Sequence, residues 1–309
     1  MNILLTGATG YIGSAIAEAL QIAGHQVTGL ARSDRAAHKL NMRGIEVVRG
    51  DLQMPETLVA AVAQVDGVIH TAATKDENMP QIDRLAVMTM LSALTGTEKP
   101  FIYTSGTWIL GNTDNSIANE QLPINPIPLM AWRVEIEMQV LAAAAQQVRS
   151  IVLRPAIVYG RGGGLVAKFV ASGRQDRVVR FVGTGDNHWA LIHVEDLARC
   201  YVSAIERSPS GMVFNVADDR SISVGTIAQA ASQAAGIPGQ IRAQSLADAR
   251  IEIGLLADGL VLDQQIVSTL AKQVLNWQPI APSLLIELAE GSYNYGLTLP
   301  QTEGVGFSG

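Results

Sequence analysis

Residues 4–13 read Leu-Leu-Thr-Gly-Ala-Thr-Gly-Tyr-Ile-Gly. This stretch places Gly7, Gly10 and Gly13 behind an apolar, strand-like run and ahead of an amphipathic segment at 14–23. Glycines in a strand-to-helix turn let the backbone approach a phosphate, and the free N–H groups of the following helix then point at that phosphate. The spacing is G-x-x-G-x-x-G rather than the G-x-G-x-x-G of the usual fingerprint. The stretch predicts a dinucleotide site, and a tight turn without a ligand is the alternative.

Composition narrows the class of protein. The 309-residue chain is 48% apolar and 16% charged, with a formal charge of −6 and a mean hydropathy of +0.22. These values fit a folded protein with large buried surfaces and exclude a disordered chain. No basic run and no apolar stretch of membrane-spanning length occurs, so we expect neither a nucleic-acid surface nor a membrane span. The chain enters its first strand without a leader-like segment, which favours a cytoplasmic location.

The single cysteine, Cys200, excludes an internal disulfide and a cysteine-based zinc site. It stands among apolar neighbours, which favours a buried, inert thiol over a nucleophile. No spacing of histidine and carboxylate residues suggests a metal site, so none is expected.

The first half alternates apolar runs with helical patterns, which is typical of βαβ units around a parallel sheet. We predict an α/β fold, a Rossmann-type doubly wound parallel sheet with a smaller C-terminal substrate lobe. Its ligand crevice would lie at the carboxyl ends of the strands. The predicted strands are 2–6, 26–31, 46–49, 67–71, 101–105 and 150–154, and the predicted helices are 12–23, 35–42, 55–63, 78–93 and 127–147.

After Pro155 the alternation loosens, and a partly helical region begins. Here we predict strands at 178–181 and 212–216, and helices at 165–172, 194–205, 224–236, 246–249, 264–270 and 282–295. The expected organisation is a dinucleotide-binding domain at 1–155, a substrate-binding lobe at 156–299 interleaved with the last sheet strands, and a flexible tail at 300–309.

The end of the second strand bears on cofactor choice. An acidic residue there would select NAD through the ribose 2′-hydroxyl, whereas an arginine accepts the 2′-phosphate of NADP. Arg32 stands at this place, with Arg35 close behind, and no carboxylate is present. This pattern favours NADP, with NAD as the alternative if Arg32 is only a solvated loop residue. Asp51, after strand three, is a candidate for the adenine amino group or a simple turn residue.

Seven short segments, including the glycine stretch, follow one another along residues 1–295. They are Thr6-Gly-Ala-Thr-Gly-Tyr-Ile-Gly13, Gly50-Asp-Leu52, Val68-Ile-His-Thr-Ala-Ala73, Tyr103-Thr-Ser105, Leu153-Arg-Pro-Ala-Ile-Val-Tyr-Gly160, Ile192-His-Val-Glu-Asp-Leu197 and Val213-Phe-Asn-Val216. Together they resemble the extended short-chain dehydrogenase/reductase group, also described as NAD-dependent epimerase/dehydratase-like. The resemblance implies cofactor contacts at Gly7, Thr9, Gly10, Tyr11, Ile12 and Gly13 for the pyrophosphate, Asp51 and Leu52 for adenine, and Ala72 and Ala73 for ribose.

The catalytic pattern of that family is not met. Its chemistry uses a tyrosine proton donor, a lysine four residues later that also holds the nicotinamide ribose, and a serine or threonine that orients the substrate oxygen. Leu129 stands at the tyrosine position, Arg133 at the lysine position and Gly106 at the serine position. Arg133 can still hold the ribose, but it cannot tune a phenol that is absent.

Four residues are candidates for the missing roles. Ser105 and Thr107 flank the serine position, Arg133 replaces the lysine, and Tyr159 is expected near the substrate crevice. His188 and Trp189, after a glycine turn, are weaker candidates for the pocket lining. For Tyr159 and Thr107, a packing role is the alternative to catalysis.

The sequence therefore predicts an atypical NADP-dependent oxidoreductase that reduces a carbonyl or C=C group of a small, apolar substrate. A catalytically silent NAD(P)-binding sensor or assembly protein is one alternative, and a non-redox isomerase or cyclase on the same scaffold is another. The resemblance also implies a homodimer formed through helices 78–93 and 127–147.

Overall fold

A computed structural model describes residues 1–74, 77–114 and 116–294 of the chain. Seven parallel strands form the main sheet, in the order β10-β6-β5-β4-β1-β2-β3. Its strands are β1 (Asn2–Thr6), β2 (Gln26–Ala31), β3 (Glu46–Arg49), β4 (Gly67–His70), β5 (Pro100–Thr104), β6 (Arg149–Pro155) and β10 (Met212–Val216). All seven were predicted from the sequence to within one residue at each end. The doubly wound α/β class is thereby confirmed.

Helices cover both faces of this sheet because alternate strand residues on each face are apolar. One face packs against α1 (Tyr11–Ile22), α2 (Asp34–Asn41), α7 (Val194–Arg207) and α11 (Thr269–Leu275). The other face packs against α3 (Pro55–Ala63), α4 (Met79–Leu94) and α5 (Trp132–Ala142). Ile3 and Leu5 of β1 face the first layer and Leu4 faces the second, so the sheet forms the centre of two apolar cores.

A third core, which we call the lobe, lies around two small sheets. It contains β7 (Ile157–Tyr159), α6 (Gly164–Asp176), β8 (Val179–Val182), β9 (His188–His193), β11 (Ser221–Ser223), α8 (Val224–Ala234), β12 (Ile241–Gln244), α9 (Leu246–Ile253), α10 (Leu256–Leu260) and α12 (Leu284–Glu290). Strand β9 pairs in parallel with β7 and antiparallel with β11, while β8 pairs in parallel with β12. The strands β7, β9, β11 and β12 were not predicted.

Two helix predictions were wrong in detail. The predicted helix 127–147 is a 3₁₀ turn at Pro128–Met130, then α5, then a second 3₁₀ turn at Ala143–Gln146. Ile127 precedes Pro128 and has extended backbone, so the predicted helix does not begin there. The predicted helix 264–270 begins only at Thr269, because the residues before it bridge to Ala118 and to β9 by backbone hydrogen bonds.

The C-terminal helix is shorter than predicted, since α12 ends at Glu290. Residue 295 and the predicted tail at 300–309 lie outside the described residues. None of the helices in the described ranges has both the length and the apolar character that a membrane crossing requires.

Candidate active site

The glycine turn lies between β1 and α1 at the point where the strand order reverses, with β2 on one side of β1 and β4 on the other. Gly7 has φ +75°, and a Cβ there would lie 2.8 Å from the backbone nitrogen of Ala72. A Cβ on Gly13 would lie 2.1 Å from the carbonyl oxygen of Gly7. Gly7 and Gly13 are therefore required by the packing of the turn itself. Gly10 is exposed, with extended backbone at φ −81°.

The start of α1 suits an anion. No side chain caps this helix, and its first turn carries no acidic residue. Its first N–H groups are left for a ligand, and the helix dipole favours negative charge at this end. Thr9 and Gly10 are exposed beside these groups, while Ile12 is half-buried. These features fit the pyrophosphate of a dinucleotide, in the place that the sequence predicted.

The strand ends beside the turn are held in place by Thr6. Its Oγ1 accepts hydrogen bonds of 3.2 Å from the backbone N–H groups of Thr71 and Ala72. Ala72 is half-buried and Ala73 is exposed, so a small, open shelf follows β4. This geometry leaves room for a ribose, which fits the expectation for Ala72 and Ala73.

The ends of β2 and β3 lie where the sequence placed the adenine half of a dinucleotide. Arg32 is exposed directly after β2, and the next residue, Ser33, caps α2 by accepting the N–H of Ala36. Asp51 accepts the N–H of Gln53 at 2.9 Å through Oδ1, which is the turn role that the sequence left open for it. One carboxylate oxygen of Asp51 is not used in that bond. Leu52 packs into the core beneath it.

Tyr11 connects the turn to the lobe. Its hydroxyl donates to the carbonyl oxygen of Gly160 at 2.8 Å. Its ring lies where a Cβ on Gly163 would approach within 2.3 Å. Burial raises the pKa of the Tyr11 hydroxyl. Its phenol is thus a donor within the protein and is not aimed at the pyrophosphate.

A cavity of about 280 Å³ opens between the glycine turn, the end of β5 and the lobe. Its lining is almost entirely apolar, with no charged side chain. The lining residues are Tyr11, Ile12, Gly106, Thr107, Trp108, Met130, Pro155, Ala156, Ile157, Val158, Gly164 and Leu165. A site of this size and character suits a small apolar ligand.

Thr107 is the polar side chain that the sequence predicted for this cavity and that the structure places in its lining. Its hydroxyl donates to Gln264 Oε1 at 3.2 Å. Gln264 Nε2 in turn donates to the carbonyl oxygens of Thr107 and Gly111 at 2.9 and 2.7 Å. Sequence reasoning missed Gln264, because it lies 157 residues from Thr107 and within a segment predicted as helix. Its flanking residues, Asp263 and Gln265, are polar as well, so no local signal marked it.

Ser105 and Gly106 follow β5, and Gly106 lines the cavity. The Ser105 Oγ is buried and has no hydrogen-bond partner among the described residues. Gly106 has extended backbone at φ −177°, and a Cβ there would meet Met130 only at an ordinary 3.5 Å. A serine would therefore fit at Gly106, so the absence of the family's hydroxyl is not caused by crowding.

Arg133 is the second residue of α5 and lies at the end of β5, outside the lining of this cavity. Its Nη1 donates to the phenol oxygen of Tyr103 at 2.7 Å and to the carbonyl oxygen of Thr104 at 3.0 Å. Its guanidinium carbon lies 4.3 Å from the ring centre of Trp132. Leu129, at the tyrosine position, lies in the preceding 3₁₀ turn rather than on the same helix. The arginine that replaces the lysine is thus held by contacts with Tyr103, Thr104 and Trp132.

Tyr159 is not where the sequence placed it. Its side chain is fully buried, and its hydroxyl donates to Pro282 O at 2.9 Å and contacts Asp218 Oδ2 at 3.1 Å. Burial, together with Asp218, raises the pKa of Tyr159. The strand turns this phenol into the lobe, so it cannot reach the cavity as a proton donor. This corrects the sequence prediction.

The weaker pocket candidates also lie elsewhere. His188 hydrogen-bonds to Asp263 at 3.0 Å, and Trp189 is buried against Phe169 with its indole N–H donated to Leu260 O. Within the described part of the chain, no group of three or more histidine, cysteine or carboxylate residues is arranged to hold a metal ion.

A parallel seven-stranded sheet with a glycine turn at its switch point defines the Rossmann-type class of dinucleotide-binding α/β proteins. Residues 3–217 match the NAD dependent epimerase/dehydratase family, and the chain belongs to that family. Its members are NAD(P)-dependent oxidoreductases, epimerases and dehydratases. The resemblance drawn from the sequence motifs is confirmed.

Three relatives illustrate the range. An uncharacterised protein of Schizosaccharomyces pombe is 34% identical over 301 residues, covering 95% of this chain and 100% of its own. A 2-alkyl-3-oxoalkanoate reductase of Stenotrophomonas maltophilia is 28% identical and covers 68% of this chain and 67% of its own. A Thermus thermophilus UDP-glucose 4-epimerase, solved with NAD, superposes with a TM-score of 0.79 at 20% identity, covering 96% of this chain and 100% of its own.

Proposed function

We propose that the protein is an NADP-dependent oxidoreductase that reduces a carbonyl or C=C group of a small, apolar substrate. The observation that carries this proposal is the apolar cavity beside an intact dinucleotide cradle. The cavity lining carries no charged side chain to recognise a sugar nucleotide. The name of the 2-alkyl-3-oxoalkanoate reductase, a relative over two thirds of the chain, supports ketone chemistry.

The chain's own residues would divide the work as follows. The glycine turn and α1 hold the pyrophosphate, and Arg32 receives a 2′-phosphate. Arg133 holds the nicotinamide ribose, while Thr107 orients the substrate oxygen. A bound dinucleotide would supply the hydride. With Tyr159 turned away, the proton for the product oxygen comes from water or from a substrate group.

The proposal also includes the division of the chain and its assembly. Residues 1–155 hold the cofactor, and residues 156–299 mostly hold the substrate. A homodimer through α4 and α5 is supported by exposed apolar side chains on these helices, since Leu85, Met88 and Met138 are 41, 38 and 64% exposed. Light scattering on the purified protein tests this assembly.

The first experiment separates binding from turnover. Calorimetry with NADP and NAD measures binding, and consumption of NADPH is then followed with a panel of apolar ketones, aldehydes and enones. Gly10→Asp is the matched control. Aspartate is a good N-cap residue, so the fold is kept, but its charge repels the phosphates. Binding that Gly10→Asp abolishes, followed by NADPH consumption, supports the proposal, whereas failure to bind either dinucleotide overturns it.

A catalytically silent NAD(P)-binding protein is the second candidate. It is favoured by the commitment of the Tyr11 and Tyr159 hydroxyls to protein partners, so the described residues that line the cavity offer no free phenol hydroxyl. Tight dinucleotide binding with no hydride transfer to any member of the panel is the result that this candidate requires.

A further inference from the structure

A chain of buried hydrogen bonds runs beneath the candidate site. Arg133 Nη1 donates to Tyr103 Oη at 2.7 Å, and Tyr103 Oη donates to Asp83 Oδ2 at 2.7 Å. The other oxygen, Asp83 Oδ1, bonds to His70 Nε2 at 3.0 Å, and His70 Nδ1 bonds to Thr6 Oγ1 at 2.8 Å. This series of hydrogen bonds thus joins α5, β5, α4, β4 and β1. One end is Arg133, and the other is Thr6, directly before the glycine turn.

The carboxylate at its centre is costly to bury. Asp83 is 3% exposed and Tyr103 is fully buried. Burial alone raises the pKa of Asp83, but its interactions with His70, Arg133 and Tyr103 outweigh this and lower the pKa. An ionised, buried carboxylate is retained only where its hydrogen bonds are satisfied.

These contacts fix the direction of each proton. A guanidinium can only donate, and an ionised carboxylate can only accept. The phenol of Tyr103 must therefore donate to Asp83 and present a lone pair to Arg133. Replacing either partner frees the phenol to turn, so the orientation of Arg133 depends on Asp83 through Tyr103.

Arg133 itself is held on three sides. Both hydrogens of Nη1 are used, by Tyr103 and by the carbonyl oxygen of Thr104, and the guanidinium stacks on Trp132. Its Nη2 has no hydrogen-bond partner among the described residues. Nε also has no partner among these residues, but it is buried, so Nη2 is the donor of Arg133 that remains for a ligand at the carboxyl end of β5.

We propose that Tyr103 and Asp83 are positioning residues, which hold Arg133 so that its free Nη2 donates to an oxygen at the nicotinamide end of a bound dinucleotide. The inference rests on the proposed function, because it assumes that a dinucleotide binds. It assigns a role to two residues that carry none in the proposed division of work.

The test compares two buried tyrosines that differ in one respect. Tyr103→Phe removes the phenol that holds Arg133, whereas Tyr201→Phe removes an equally buried phenol that contacts Thr104 Oγ1 at 2.6 Å but not Arg133. Calorimetry is run with NADP and with adenosine 2′,5′-bisphosphate, a fragment that lacks the nicotinamide half. We expect Tyr103→Phe to weaken NADP binding about fivefold, as loss of one hydrogen bond would, and to leave the fragment unchanged. Tyr201→Phe leaves both affinities unchanged.

A double-variant cycle then tests whether Tyr103 acts through Arg133. Arg133→Gln weakens NADP binding, and adding Tyr103→Phe to it produces no further loss. An equal loss in both backgrounds, or equal losses of NADP and fragment, overturns the proposal. Asp83→Asn gives a second reading if Tyr103→Phe does not fold, and it is expected to weaken NADP but not the fragment.

The outcomes also separate the two proposals. If the wild-type protein binds neither NADP nor the fragment, the proposed function fails and this inference fails with it. If wild type binds both and Tyr103→Phe binds them equally well, only the positioning role fails.

Discussion

The hydroxyl of Tyr11 donates to the carbonyl oxygen of Gly160 at 2.8 Å and so joins the first residue of α1 to the loop that leads into the lobe. From the other side, Tyr293 accepts the N–H of Gly160 and donates to the carbonyl oxygen of Gly163. Two phenols therefore hold the glycine-rich loop that carries Gly164 into the cavity wall. Hydrogen bonds therefore link the glycine turn, which is proposed to bind the cofactor, to the loop that forms part of the cavity wall.

This arrangement predicts an order of stability. Tyr11→Phe loses one hydrogen bond while its ring still packs on Gly163, so the free energy of unfolding should fall by about 1 kcal/mol. Tyr293→Phe loses two bonds to the same loop, so its free energy of unfolding should fall further. Urea unfolding of both variants measures the difference. Equal or reversed losses would contradict the predicted order, and an unchanged stability of Tyr11→Phe would show that its hydroxyl does not support the loop.

Arg32 should determine the choice between the two dinucleotides. Arg32→Ala is expected to weaken NADP binding by roughly tenfold or more, in line with loss of a charge-assisted bond, and to leave NAD binding unchanged. Arg43→Ala is the control, since Arg43 is equally exposed but follows α2, at the opposite end of the sheet edge. Calorimetry measures the affinities of both variants for NADP and for NAD. Equal effects of the two variants would leave Arg32 as a solvated residue.

Thr107 and Thr113 form a matched pair within one segment. Both are buried, and both tie the segment to residues 263–265, but only Thr107 lines the cavity. We expect Thr107→Val to cost about 1 kcal/mol of stability, and Thr113→Val, which loses two bonds, to cost at least as much. With a substrate that the wild type reduces, kcat should fall on the order of tenfold for Thr107→Val alone. An unchanged kcat would assign the Thr107 hydroxyl to packing.

The burial of His193 should make the free energy of unfolding depend on pH. It is 5% exposed, and burial lowers its pKa below the usual 6.5, although Glu287 and Glu195 oppose the shift. Below that pH the unfolded chain binds a proton that the native state resists. Stability should therefore fall as the pH drops through the unfolded value toward the lower native one.

His193→Asn isolates this contribution. Asparagine can replace the bond by which His193 Nδ1 accepts the N–H of Glu195 at the start of α7, but it does not titrate. Urea unfolding at about pH 7.5 and about pH 5.5 should show a smaller loss in the variant than in the wild type. Parallel losses in the two proteins would contradict the assignment.

The part of the fold that sequence predicts best is the part with simple periodicity. Buried parallel strands are continuous apolar runs, so β1, β2 and β3 were predicted to the residue. Strand β9, His-Trp-Ala-Leu-Ile-His, is equally apolar but lies between a turn and a helix without the alternation that would mark it. Its partners β7 and β11 are three residues each, too short for any period to appear.

The site was predictable where it is local and not where it depends on packing. The glycine turn and Arg32 lie on the elements that the sequence indicated. The side chain of Tyr159 could not be placed, because its partners Asp218 and Pro282 are 59 and 123 residues away. His70 is buried, and its bond to Asp83 depends on how α4 lies against the sheet.

After β9 the polypeptide leaves the lobe and returns to the main sheet. It first forms α7, which covers one face of the sheet, and then β10, the outermost strand. This route limits how such proteins recombine. A single crossover after Pro155 between two relatives would mix the edge strand of one parent with the sheet of the other. A chimera that exchanges the lobe must import 156–193, 217–265 and 284–290 as separate inserts, and keep 194–216 and α11 from the parent that supplies the sheet.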